Sequence, residues 1–105
     1  MEYSKSMFEY WTEDDFVSAF RKMLTIEQFR SEEMQKLYQQ YLVAGPASYV
    51  KDLFDSMGFT NAKNKAVRFY AVMHFYYSLY DGAEDKENVK DGFVSAIKSL
   101  VQDLA

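Results

Sequence analysis

The chain has 105 residues, one proline, no cysteine and a formal net charge of −4. Disulfides, thiolate catalysis and cysteine-ligated metal are therefore excluded, and the twelve Lys and Arg, scattered among sixteen acids, form no basic stripe that could neutralise nucleic-acid phosphate. An apolar content of 49% excludes disorder, and the length suits one domain, residues 1–105, able to remove about two-thirds of its unfolded surface from water. No apolar run approaches the ~20 residues of a membrane helix, and no basic segment followed by an apolar one opens the chain as an export signal. The expectation is a cytoplasmic protein that meets no membrane and binds no nucleic acid directly.

Taken in order, Met1 to Tyr10 is ambiguous. Met7, Phe8, Tyr10 and Trp11 suit a frayed helix end or a segment docked on the body. Thr12 is a good N-cap, and Asp15 three residues on completes an approximate capping box. Glu13, Asp14 and Asp15 then lie where a helix dipole favours anions. This helix should run to about Gln28, with Phe16, Phe20, Met23 and Leu24 as its inward stripe. Ser31 caps the next, with Glu32 and Glu33 in its first turn. There Met34, Leu37, Tyr38, Tyr41 and Leu42 repeat with amphipathic helical spacing. Gly45-Pro46 interrupts the pattern: Pro46 either kinks one long helix or starts a new one. Tyr49, Val50, Leu53, Phe54 and Met57 resume the period, and Gly58 is placed to terminate it.

Asn61 can cap a helix from Ala62 to Tyr80. Its stretch Phe69-Tyr70-Ala71-Val72-Met73-His74-Phe75-Tyr76-Tyr77-Ser78-Leu79-Tyr80 contains no carboxylate, lysine or arginine. At about 100° per residue, Phe69, Tyr70, Met73, Tyr76, Tyr77 and Tyr80 share a face, which Val72, Phe75 and Leu79 extend past a half-circle. So wide an apolar arc calls for cover on two sides, one its own core and the other a second subunit or a ligand. Small Ala71 and Ser78 would let another helix come close. After Asp81-Gly82 and an acidic loop, a last helix from Lys86 to Leu104 carries Val89, Phe93, Ala96, Ile97, Leu100 and Leu104 as one stripe. No segment reads as a strand. The expected fold is all-α, an antiparallel bundle of about five helices.

The chemistry is sparse. His74 is the only histidine, and the positions three and four residues away hold Tyr70, Ala71, Tyr77 and Ser78. No helical metal site or acid–base pair can form there. His74 is read as half-buried, with one hydrogen bond and a packed ring; its functional alternative is a polar contact to a bound small molecule. Acidic groups at Glu13, Glu32 and Glu84 sit at helix starts or in a loop, where solvation and the dipole explain them. Neither a phosphate cradle nor a nucleophile elbow is present. The chain is therefore expected to be no enzyme and to need no cofactor or metal. Nine tyrosines remain to be explained. Each buried hydroxyl needs a partner, so some should line a pocket or an interface.

The pattern resembles the C-terminal half of TetR-type (tetracycline-repressor-like) transcriptional regulators, from Phe8-Glu9-Tyr10-Trp11-Thr12-Glu13-Asp14 onward. The stretches that carry the likeness are Phe20-Arg21-Lys22-Met23-Leu24-Thr25-Ile26-Glu27-Gln28-Phe29, Glu33-Met34-Gln35-Lys36-Leu37-Tyr38, Gly45-Pro46 and Tyr77-Ser78-Leu79-Tyr80-Asp81-Gly82, in that order and spacing. The resemblance implies a domain that binds a small hydrophobic effector and forms a homodimer, its last two helices pairing with their copies in a four-helix bundle. It implies a pocket drawn from Phe16, Phe20, Met23, Leu37, Tyr41, Leu53 and Phe54, closed by Phe69, Met73, His74 and Tyr76 on the aromatic helix. The dimer interface would use Tyr70, Tyr77, Phe93, Ile97, Leu100 and Leu104. Members of the family bind DNA through an N-terminal helix-turn-helix domain, which this reading does not find in the chain, so DNA would be reached only through a missing part. The competing expectation is a helical interaction module with a filled core and no ligand.

Overall fold

The computed structural model describes residues 2–104, apart from the Glu2 side chain; Met1 lies outside the described residues. All regular elements are helical: α1 (Glu2–Glu13), α2 (Asp15–Glu27), α3 (Glu32–Tyr38), α4 (Ala44–Ser56), α5 (Ala62–Gly82) and α6 (Lys86–Leu104). A π-helical turn over Gln39–Val43 joins α3 to α4, so the two run on as one kinked helix.

The segment that was ambiguous in sequence is thus the helix α1, and α2 starts later than expected. Asp14, not Thr12, is the N-cap: its Oδ1 accepts from the Val17 amide at 2.9 Å. Thr12 belongs to α1, where its hydroxyl donates to the Phe8 carbonyl at 2.7 Å. Ser31 does cap α3, accepting from the Met34 amide. Asn61 occupies the N-cap position of α5 in a left-handed conformation, but its side chain makes no capping bond. Gly58 ends α4 as expected. Its φ of +83° lets its amide donate to the Asp55 carbonyl while the Phe59 amide reaches Phe54. The Phe54 and Phe59 rings pack edge to face over this turn, which is the hydrophobic contact of a Schellman motif.

The kink has a local cause. In an unbroken α-helix the Leu42 carbonyl would accept from residue 46, and Pro46 has no amide hydrogen. The chain widens instead: the Ala44 amide reaches back to the Gln39 carbonyl, and Val43 leaves helical geometry at φ −131°, ψ −82°. The stranded Leu42 carbonyl receives the buried Tyr70 hydroxyl from α5. Gly45 is required by the same turn, because a Cβ there would lie 1.7 Å from the Gln40 carbonyl oxygen.

Two apolar clusters form. The larger joins α1, α4, α5 and α6 around Phe8, which stacks on Phe93 with ring centroids 4.3 Å apart. The smaller joins Leu24, Tyr38 and Leu42, and Trp11 packs against both. Between them lies the buried Arg21. Its Nε donates to the Trp11 carbonyl, and its two terminal nitrogens donate to the Asp81 carboxylate at 2.8 and 2.6 Å. Its guanidinium also sits 5.2 Å from the Tyr77 ring centre. Lys90 ties α6 to α1 through Glu9 and Glu13.

Two expectations are corrected here. The inward stripe of α2 is Val17, Arg21 and Leu24, while Phe16 is 79% exposed and Met23 also faces outward. The six residues assigned to a dimer interface, Tyr70, Tyr77, Phe93, Ile97, Leu100 and Leu104, are all buried in the protomer's own core. Helix α5 is covered on that side only. Phe75 is 58% exposed, and Val67 and Leu79 are exposed along the same outer face. The shortest principal-axis extent is 17 Å, the depth of about two packed helices.

Replacing Gly45 with Ala should lower stability by about 3 kcal/mol or more, because the clash is with backbone and cannot be relieved by a rotamer change. Urea denaturation of the variant checks this; an unchanged midpoint would contradict the described turn.

Candidate functional site

Three hollows stand between the helices, and the sequence-predicted pocket residues are divided among them. One, about 390 Å³, is bounded by α1, the π-turn, the start of α4 and the middle of α5. From α1 come Tyr3, Met7 and Trp11; from the π-turn, Gln40 and Tyr41; from α4, Gly45, Pro46, Tyr49 and Val50; from α5, Tyr70, Met73 and Tyr77. A groove of about 510 Å³ lies between α5 and the junction of the π-turn with α4, along Val67, Ala71, His74 and Phe75. A third hollow of about 240 Å³ is lined by Leu53, Phe54, Phe69 and Leu104 among others.

Of the expected pocket residues, Tyr41 and Met73 therefore reach the first cavity and His74 the groove, while Leu53, Phe54 and Phe69 line the third hollow. Phe16, Phe20, Met23, Leu37 and Tyr76 line none of the three. Phe20 is half-buried, stacked beside Phe16 and edge-on to Tyr41. Leu37 packs on the smaller core, and Tyr76 packs on Phe93. Tyr70 and Tyr77, assigned by sequence to an interface, are cavity walls. The contribution of α1 was missed, although Tyr3, Met7 and Trp11 recur every fourth residue and so share one helical face.

The first cavity can hold an organic molecule because of what lines it. All twelve lining residues are uncharged, its volume lies within the range of small-molecule sites, and two methionines give walls that adapt to shape. The kink places this wall: Pro46 displaces the backbone, and the Tyr70 hydroxyl that repairs the displaced carbonyl holds α5 against it. Tyr3 and Tyr49 are exposed and stand at the mouth.

Tyr77 is the most buried of the five tyrosines in the lining. It is 3% exposed, and its hydroxyl has no hydrogen-bond partner among the described residues. Tyr77 lines the cavity from α5. Burial, then the neighbouring Tyr70, pushes its pKa well above the ordinary phenol value; Tyr70 is raised likewise, burial first. Both stay neutral donors across the physiological range.

His74 is half-buried beside this wall, with Nε2 3.3 Å from the Tyr38 hydroxyl, and its ring lies against those of Tyr70 and Tyr77. Burial first, and the Arg21 charge second, lower its pKa from 6.5. Among the described residues no cluster of His, Cys, Asp and Glu could hold a metal ion, and no helix is long and apolar enough to cross a membrane. No protein-family model, curated protein or solved structure matches the chain.

Because His74 binds a proton less readily in the folded chain than in the unfolded one, the unfolded state holds more protons below pH 6.5. Stability rises with pH wherever that is so. Acidification from about pH 7.5 to about pH 5.5 should therefore lower the urea midpoint, and the slope should shrink in His74→Gln. An equal slope in the variant would remove His74 as its source.

Proposed function

We propose that this chain is the effector-sensing and dimerisation half of a TetR-type transcriptional regulator, binding a small apolar or aromatic molecule. The observation that carries the reading is the four-walled cavity with its uncharged aromatic lining. The sequence stretches from Phe20 to Phe29, Glu33 to Tyr38, Gly45-Pro46 and Tyr77 to Gly82 supply the family. A ligand regulates only through a difference in affinity between two arrangements. Here the candidates for movement are the walls that meet at the π-turn, since α3 and α4 join there through π-helical rather than α-helical hydrogen bonds. DNA binding in such a regulator belongs to a helix-turn-helix domain, and the net charge of −4 fits a sensor half rather than a phosphate-binding surface.

Self-association is part of the proposal, but through a different surface from the six core residues named above. The outer face of α5 carries exposed Val67, Phe75 and Leu79 with small Ala71 and Ser78 among them, and a second α5 could approach there. The same stripe favours the competing reading of an interaction module without a ligand. Sedimentation at micromolar concentration separates dimer from a particle of 12.3 kDa; the latter alone would remove the dimer from either reading.

The ligand claim is tested with N-phenyl-1-naphthylamine, an uncharged dye that brightens in apolar sites. Titration into the protein should give a saturable rise of one dye per chain. Met7→Trp, which fills the cavity from α1, should weaken it about tenfold or more. Absence of saturable binding would favour the module without a ligand.

A further inference from the structure

Within the cavity, the polar chemistry on offer is narrow. Every lining side chain is uncharged. The nearest cation, Arg21, has its two terminal nitrogens engaged by both oxygens of Asp81 and its Nε by the Trp11 carbonyl. No positive charge is left over for an anionic ligand, and no carboxylate lines the wall for a cationic one. A charged ligand would lose its hydration without a counter-ion, a cost that apolar contact does not offset.

The buried hydroxyls differ in what they can give. Tyr70 already donates its proton to the Leu42 carbonyl. Tyr77, 3% exposed, has no acceptor for its hydroxyl proton among the described residues. The Arg21 guanidinium over its ring, 5.2 Å from the centre, draws electron density from the phenol and makes it a better donor. A ligand lacking an acceptor would bury this hydroxyl unpaired, and that loss is the physical basis of discrimination.

Resting on the cavity being a ligand site, we infer that its ligand is an uncharged, ring-containing molecule with a hydrogen-bond acceptor, such as a carbonyl or ether oxygen, that receives the Tyr77 hydroxyl. Neutral ketones, lactones and quinones fit this description; fatty-acid anions and alkylammonium cations do not. Tyr77 is the specificity-determining residue, and Met7 and Met73 shape the apolar remainder.

The test displaces N-phenyl-1-naphthylamine from the intact chain with three compounds of one ring system: 2-acetylnaphthalene, 2-ethylnaphthalene and 2-naphthoate. The ketone should bind about five- to tenfold more tightly than the ethyl compound, the range expected of one neutral hydrogen bond, and the carboxylate at least about tenfold more weakly than the ketone. In Tyr77→Phe the advantage of the ketone over the ethyl compound should vanish while ethyl binding persists. Equal binding of ketone and ethyl compound by the unaltered protein would overturn the inference, as would tight naphthoate binding or a ketone advantage that survives in Tyr77→Phe. In each of those cases the dye still marks a ligand site. Failure of the dye itself to bind would overturn the cavity reading and this inference together.

Discussion

A single buried cation organises the molecule. Arg21 is 5% exposed, and its guanidinium holds α1 by the Trp11 carbonyl and α5 by the Asp81 carboxylate while α2 carries it. Each partner needs the other. Asp81 sits in the last turn of α5, where the helix dipole disfavours an anion, and Arg21 would be an uncompensated charge between two apolar clusters without it. Bidentate geometry fixes orientation as well as distance, so the angle between α2 and the end of α5 is set by this fork. Trp11, which bridges the two clusters, is pinned by the same side chain. The aromatic wall of the cavity, Tyr77 included, therefore stands where Arg21 holds it.

At the other end of the cavity the organising constraint is an absence of hydrogen. Pro46 cannot donate to Leu42, the chain widens into a π-turn, and Tyr70 crosses from α5 to supply the missing donor. Helix irregularities of this kind recur at functional sites, and here the physical reason is visible. The widened turn carries Gln40 and Tyr41, which line the cavity together with Gly45 and Pro46 just beyond it. The Gly45–Gln40 contact shows how tightly the backbone is folded at that point, since no other residue fits. One wall of the hollow is thus an irregular stretch of backbone.

Much of the architecture was legible in sequence because it follows from periodicity and caps. The limits of α6, the start of α5, the Ser31 cap and the Gly58 terminator were read from local chemistry, and the structure agrees. What escaped depends on partners far along the chain. The Arg21–Asp81 pair spans 60 residues, and no local spacing in the sequence joins the two. With Arg21 turned inward, the inward stripe of α2 rotates, and that rotation carries Phe16 and Met23 to the outside. Thr12 was misread because its hydroxyl can satisfy a carbonyl within α1 as well as an amide at a helix start. The expected interface failed for a similar reason: the apolar surplus of α5 was real, but the face that buries in the protomer is the tyrosine face, and Phe75 and Leu79 are the remainder. Tyr3, Met7 and Trp11 were visible as a repeat, yet nothing local shows which cavity a helix face will line.

The functional reading joins these two constraints, since the clamp at one end and the kinked turn at the other define the space a ligand would occupy. A double-mutant cycle on the clamp tests the foundation most directly. Arg21→Met, Asp81→Asn and the double variant are compared by urea denaturation. The account predicts a coupling of about 2 kcal/mol, below that of a fully enclosed pair because Asp81 is 27% exposed at its side chain. Additivity within about 0.5 kcal/mol would contradict it, since the two side chains would then contribute independently and the fork could not be what holds α2 to α5.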